Sequence, residues 1–155
     1  TPYQGRFLGT SVNDKEAVSR AFSLTKADKL KDKKFAILSG GEKQKIVIAR
    51  AVAQTTPWML LDEPIASLDI KNQIEIMQTL LELNRQEGVS VLMVLHDINL
   101  AGIYCDRLIM LKDGQVIAAG NTNECLCEEN LKKLYDISFF HMDTKKGQRY
   151  YYAEI

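Results

Sequence analysis

Apolar side chains recur along this chain with two alternating periods, one helical and one extended. From Asn13, the positions Ala17, Val18, Ala21, Phe22 and Leu24 keep helical spacing and predict a helix over about 13–24. Before it, Pro2, Gly5 and Gly9 among polar residues predict a loop over 1–12. Residues 25–36 are Lys-rich and irregular, and read as a solvated face. Ser39-Gly40-Gly41-Glu42 opens a helix of about 40–54 with the S-x-x-E spacing of a capping box. Pro57 breaks the chain, and Trp58-Met59-Leu60-Leu61 predicts a short strand that ends in Asp62-Glu63-Pro64. Asp69 is placed to cap a helix of about 70–86. Its expected apolar stripe is Ile74, Met77, Leu80, Leu81 and Leu83, and its stop is Gly88.

The run Val89 to Leu95 predicts a second buried strand, closed by His96-Asp97 and followed by a short helix of about 98–104. Arg107 to Leu111 reads as a third strand. Lys112-Asp113-Gly114-Gln115 carries the Asp-Gly turn signal, so Val116 to Ala119 should return as a hairpin. A helix is expected over about 128–135. Tyr150-Tyr151-Tyr152 predicts a last strand, paired with Ile137 to Met142 and packed on the core rather than forming a binding face. His141 reads as a surface or packed residue beside it.

Strand, helix, strand, helix, strand is the order of an α/β fold with parallel strands and crossover helices. Strands buried on both faces should be nearly all apolar, as 58–61 and 91–95 are. Ligands gather at the carboxyl ends of such strands. Asp62, Glu63 and His96 all fall there, so two acids and a distant imidazole are expected on one rim.

Composition narrows the class without deciding it. Twenty Lys or Arg balance twenty Asp or Glu, for a net charge of zero, and 46% of the 155 residues are hydrophobic. That is an ordinary globular balance, with no bulk charge to attract a polyanion. No apolar run is long enough to cross a bilayer. Cys105, Cys125 and Cys127 lack the spacing of a disulfide framework, and no second pair or nearby His completes a metal site around Cys125-x-Cys127. Thr1 in place of Met is what a processed chain, or one cut from a longer one, would show.

Adjacent carboxylates in extended chain face opposite ways, so Asp62 can hold a hard cation such as Mg²⁺ while Glu63 addresses a water. His96 can donate to a phosphate oxygen. The same residues are equally read as caps, the acids of a turn before Pro64 and His96 of the helix after it. At Ser39-Gly40-Gly41, two glycines at a helix start allow close backbone approach, and the free N–H groups and dipole favour an anion. An ordinary capped helix would look the same.

The combination says more than its parts. Leu38-Ser39-Gly40-Gly41-Glu42-Lys43-Gln44, Arg50-Ala51, Leu60-Leu61-Asp62-Glu63-Pro64, Ser67-Leu68-Asp69 and Leu95-His96-Asp97, in that order, resemble the motifs of ATP-binding-cassette (ABC) ATPases over about residues 1–135. The resemblance implies an incomplete P-loop NTPase core joined to part of the ABC helical subdomain. It implies a signature at 38–42 and a Walker B strand at 58–63, with Asp62 at Mg²⁺ and Glu63 as the catalytic carboxylate. Ser67-Leu68-Asp69 resembles the D-loop that packs across the dimer, and His96 the switch histidine at the γ-phosphate. Residues 1–54 are then helical subdomain with the signature helix, 55–135 the C-terminal part of the ATPase core, and 136–155 a C-terminal extension of strands.

ATP and Mg²⁺ are the implied cofactors. In the family two subunits sandwich two ATP molecules. Ser39, Gly40 and Gly41 would serve the opposite subunit's nucleotide, and Asp62, Glu63 and His96 their own; Glu42 and Asp69 are the further residues implied at the cofactor. The implied partners are a second ATPase subunit, transmembrane permease subunits and, indirectly, a solute-binding protein, at the cytoplasmic face of the cell membrane; no nucleic acid is expected. Thr1-Pro2-Tyr3-Gln4-Gly5-Arg6-Phe7, with Asp113-Gly114 and Gly120, resembles the subclass serving iron–siderophore, haem or cobalamin importers.

One departure is large. The G-x-x-x-x-G-K-[ST] phosphate loop is missing, because Gly5-Arg6-Phe7-Leu8-Gly9-Thr10 has neither its spacing nor its lysine. Gln4 sits past the place of the family's Q-loop glutamine and takes no role. The chain is therefore expected to be the C-terminal part of a longer ATPase, inactive alone. Two alternatives stand beside this. A chromosome-maintenance or DNA-repair ABC ATPase half would need heptad coiled-coil arms beside the signature, and residues 1–37 carry none. A non-enzymatic dimerisation module would have lost its phosphate loop for good.

Overall fold

The computed structural model describes residues 12–145 and 147–154, in two compact units divided after Val94. The loop expected over 1–12 lies, but for Val12, outside them, as does the subclass motif at 1–7.

The first unit holds α1 (Val12–Leu24), α2 (Gly40–Val52), β1 (Trp58–Leu61), α3 (Ile70–Glu87) and β2 (Ser90–Met93). Between α1 and α2 the Lys-rich segment makes two 3-10 turns, Asp28–Leu30 and Phe35–Ile37. Its lysines are exposed, as expected. Yet Ala27, Leu30 and Leu38 are buried together against Phe22 and Ile46. The irregular spacing of these residues between lysines hides this small core from a periodicity reading.

β1 and β2 pair in parallel, from Trp58 opposite Ser90 to Leu61 opposite Met93. One more bond, Val94 N–H to the Leu61 carbonyl at 3.0 Å, follows the ladder. The strand expected over 89–95 is thus shorter. α3 supplies the crossover a parallel pair requires. It starts at the Asp69 cap and stops at Gly88, whose φ of 67° is the left-handed value glycine adopts without steric cost. Its buried residues are Ile76, Met77, Thr79, Leu80 and Leu83, whereas Ile74 is exposed. Thr79 takes an inward place because its hydroxyl donates to the Glu75 carbonyl at 2.9 Å, which satisfies the buried oxygen.

Met59 is buried, while Trp58, Leu60, Leu92 and Val94 are 60%, 72%, 52% and 49% exposed. Side chains alternate across a strand, and Leu60 lies opposite Leu92 in the register. The expectation of two covered faces is therefore corrected: among the described residues, this apolar face of the pair is open.

The second unit holds α4 (Ile98–Tyr104), β3 (Arg107–Lys112), β4 (Gln115–Asn121), α5 (Thr122–Cys125), α6 (Glu128–Tyr135), β5 (Phe139–Asp143) and β6 (Arg149–Ala153). β3 and β4 pair antiparallel as the expected hairpin, and among the described residues β3 does not continue the parallel pair β1–β2. Asp113 and Gly114, at φ 49° and 74°, form the tight turn between them, as the Asp-Gly signal predicts. β5 and β6 pair antiparallel from Phe139 opposite Ala153 to Asp143 opposite Arg149. Met110, Cys125, Leu126, Leu131, Phe139 and Tyr151 form the buried core.

Asp97, not His96, caps α4: its Oδ1 accepts from Asn99 N at 2.8 Å and Leu100 N at 2.9 Å. Asn99 then ties α4 to β6. Its Nδ2 donates to the Tyr151 carbonyl at 3.0 Å, and its Oδ1 accepts from Tyr151 N–H at 2.7 Å. The carboxamide thus imitates a neighbouring strand. Asn99→Ala leaves both Tyr151 backbone groups without it, at a cost of about 1–3 kcal/mol. Urea unfolding followed by circular dichroism checks this; an unchanged midpoint would contradict it.

Candidate functional site

The first turn of α2 is a complete capping box. Ser39 Oγ accepts from Glu42 N–H at 3.3 Å, and Glu42 Oε2 accepts from Ser39 N–H at 2.9 Å. Lys33, from the Lys-rich segment, donates to Glu42 Oε1 at 3.0 Å. The Ser39 N–H bond first, then Lys33, hold the Glu42 carboxyl below its usual range. Glu42 is therefore committed to the cap. The first intrahelical donor is Lys43 N–H, to the Ser39 carbonyl at 2.9 Å. The N–H groups of Gly40 and Gly41 precede it and belong to the positive end of the helix.

The two glycines are not equivalent. Gly40 is exposed and Gly41 buried. A Cβ on Gly40 would touch Leu68 Cδ2 at 3.4 Å, an ordinary contact. A Cβ on Gly41 would fall within 2.5 Å of Asn72 Cγ, and closer still to its Oδ1. The close approach at Gly41 is thus made by a side chain of α3.

β1 ends at Leu61, beside Met93 of β2, and Asp62 and Glu63 follow it, both exposed. Strand alternation stops with Leu61. What turns the chain at Glu63 is a φ of 45°, unusual for a residue with a long side chain. A tight segment follows, with Ala66 N–H to the Glu63 carbonyl at 3.1 Å and Ser67 at φ 62°. Asp69 then caps α3: its Oδ1 accepts from Asn72 N–H at 2.9 Å and its Oδ2 from Asn72 Nδ2 at 2.7 Å. The backbone bond first, then the side-chain bond, lower the Asp69 pKa. Gln73 Nε2 reaches back to the Ile65 carbonyl at 3.3 Å. One turn further along both helices, Lys45 Nζ meets Glu75 Oε2 at 2.8 Å.

The structure therefore brings Ser39, Gly40, Gly41, Glu42 and Asp69 into one neighbourhood of the first unit. Asp62 and Glu63 stand together at the carboxyl end of β1. His96 follows Met93 by three residues and belongs to the second unit, which begins at Leu95. Sequence reasoning missed Asn72, Lys33 and the Lys45–Glu75 pair. The Asp-x-x-Asn spacing at 69–72 was the available signal for the first. Two of the three thiols are held protonated: burial pushes Cys105 up to about 11 and raises Cys125 as well. Among the described residues no group of three or more His, Cys, Asp or Glu gathers to hold a metal ion.

Comparison with known proteins bears on the whole arrangement. The family model described as ABC transporter matches residues 4–66. The ferric enterobactin transport ATP-binding protein of Escherichia coli is 39% identical over 142 residues, covering 92% of this chain and 52% of that protein. A solved structure described as an inward-facing metal-chelate type ABC transporter superposes with a TM-score of 0.90 at 26% identity, over 97% of this chain and 62% of that one. A dimeric bacterial ABC transporter cassette gives a TM-score of 0.63 at 33% identity, over 78% of this chain and 52% of that one. The chain spans about half the length of the curated relatives it matches. With its motifs in family order and that identity carried across nearly its whole length, the chain belongs to the ABC transporter family of ATP-binding proteins.

Proposed function

We propose that this chain is the carboxyl-terminal portion of the ATP-binding subunit of an importer for iron–siderophore or related metal-chelate complexes, and that ATP hydrolysis in a dimer powers transport. The observation that carries the reading is the 39% identity over 142 residues to a ferric enterobactin transport ATP-binding protein. The metal-chelate type neighbour supports the same class, and the dimeric cassette supports a paired arrangement. The DNA-repair alternative is not favoured, since α1 is a helix of 13 residues rather than a coiled-coil arm.

In this reading residues 1–54 belong to the helical subdomain, 55–135 to the ATPase core and 136–155 to an extension. The exposed Asp62 carboxylate is a hard oxygen donor suited to Mg²⁺, which binds through one or two carboxylates, phosphate and water. When bound, that ion neutralises charge developing on the phosphate oxygens. Glu63 orients and deprotonates the attacking water. His96 donates to the γ-phosphate. Ser39, with the N–H groups of Gly40 and Gly41, presents donors to the opposite subunit's nucleotide; Glu42 keeps that turn formed, and Asp69 keeps the loop beside it. A second ATPase subunit, permease subunits and a solute-binding protein are the partners, at the cytoplasmic face of the membrane. No helix among the described residues is long and apolar enough to cross a membrane itself.

The open face of Trp58, Leu60, Leu92 and Val94 supports the same reading, because parallel strands are stable only with both faces covered. Relatives carry about as much chain again, and that portion is the proposed cover. The chain alone should bind a hydrophobic dye strongly, and co-expression with the remaining portion of the ferric enterobactin relative should suppress the signal. Equal dye binding in both samples would contradict this.

The same pair of samples tests the chemistry. The chain alone should bind ATP poorly and hydrolyse it negligibly, since no backbone cradle or phosphate-loop lysine is present among its 155 residues. The completed cassette should hydrolyse ATP with Mg²⁺. There, Glu63→Gln should cut turnover by about 10²-fold or more while ATP binding persists. Robust turnover by the chain alone, or unchanged turnover in the variant, would overturn the assignment.

A further inference from the structure

Gly41, at the start of α2, lies against Asn72 of α3. The Asn72 carboxamide lies against Gly41 so tightly that not even one methyl group fits between them. That carboxamide is not free to turn, because Nδ2 donates to Asp69 Oδ2 at 2.7 Å while the Asn72 backbone N–H engages Oδ1 at 2.9 Å. Leu68 stands beside it, 3.4 Å from where a Cβ on Gly40 would lie, and Lys45 pairs with Glu75 one turn along. The chemistry at position 72 is restrictive. A planar group is thin enough to lie on a glycine backbone, and an N–H is needed to donate to Asp69. Alanine would leave a gap, and aspartate would set one carboxylate against another.

We propose that Asn72 is a positioning residue. Its carboxamide fastens the Ser39–Glu42 turn to the Ser67–Asp69 loop, so that these two segments hold one fixed spacing and move as a single platform. The part played by that platform rests on the function proposed above: it is the surface offered to the opposite subunit's nucleotide. Asn72 touches no nucleotide itself. Its loss should lower the frequency of productive closure and leave each subunit's own grip on ATP intact.

Two measurements test this separately. The first needs no nucleotide. Hydrogen exchange is followed at the amides of 39–42 and 67–69 in the full chain. Asn72→Ala should speed exchange in both segments together. Gly41→Ala should disturb the same two segments, and the double variant Gly41→Ala/Asn72→Ala should recover, because the added methyl fills the space the carboxamide leaves. Unchanged exchange in Asn72→Ala, a change confined to one segment, or additive damage in the double variant would overturn the proposal. The second uses the completed cassette. Asn72→Ala should lower kcat by about tenfold with KM for ATP nearly unchanged, and Asn72→Asp should behave like it. A kcat equal to wild type, or a loss residing in KM, would overturn the role. A wild-type cassette that fails to hydrolyse ATP would count against the proposed function, and the exchange experiment would still decide whether Asn72 joins the two segments.

Discussion

Everything in the first unit is built around a parallel pair of strands that has been given only one cover. β1 and β2 share a four-residue register, and α3 is the crossover that makes their parallel pairing possible. Met59 and the inward residues of α3 remove apolar surface from water on one side. On the other side Trp58, Leu60, Leu92 and Val94 keep theirs exposed. A two-stranded sheet is marginal by itself. The helix side therefore bears the stability, and the same constraint sets the ends of the strands, where Asp62 and Glu63 stand.

Helix starts in this chain serve as structural joints. Ser39 with Glu42, Asp69 with Asn72, and Asp97 with Asn99 each satisfy first-turn N–H groups. In two of the three, the cap also reaches outward. Asp69 orients Asn72 against Gly41, and the residue bound by Asp97 continues to the backbone of Tyr151. Each of these links depends on a planar carboxamide, which can donate and accept at once.

Much of this was legible in the sequence where local chemistry decides the outcome. The capping box at Ser39, the Asp69 cap, the glycine stop at 88 and the Asp-Gly hairpin all follow from side chain and backbone within a few residues. The candidate site residues were legible because their motifs stand in order along the chain. What was hidden depends on contacts distant in sequence. Gly41 answers to Asn72, Glu42 to Lys33, and Asn99 to Tyr151. Ile74 was misread because the buried face of α3 runs through Ile76, Met77, Thr79, Leu80 and Leu83, and hydropathy does not reveal that Thr79 satisfies its hydroxyl within its own helix and so tolerates an inward place. Strand–helix alternation suggests that β3 extends the parallel pair, but its ladder runs to β4, the local partner that the tight turn at 113–114 supplies.

The backbone at Glu63 has a consequence of its own. A φ of 45° is a conformation that glycine takes freely and that costs a residue with a Cβ roughly 1–2 kcal/mol. Conformational ease and chemistry therefore pull in opposite directions at this one position. A drift to glycine would relax the chain and silence the carboxylate in a single step, whereas β-branched replacements would meet a steric penalty before their chemistry mattered. In the proposed function, the work of its side chain holds this position against what its main chain would prefer.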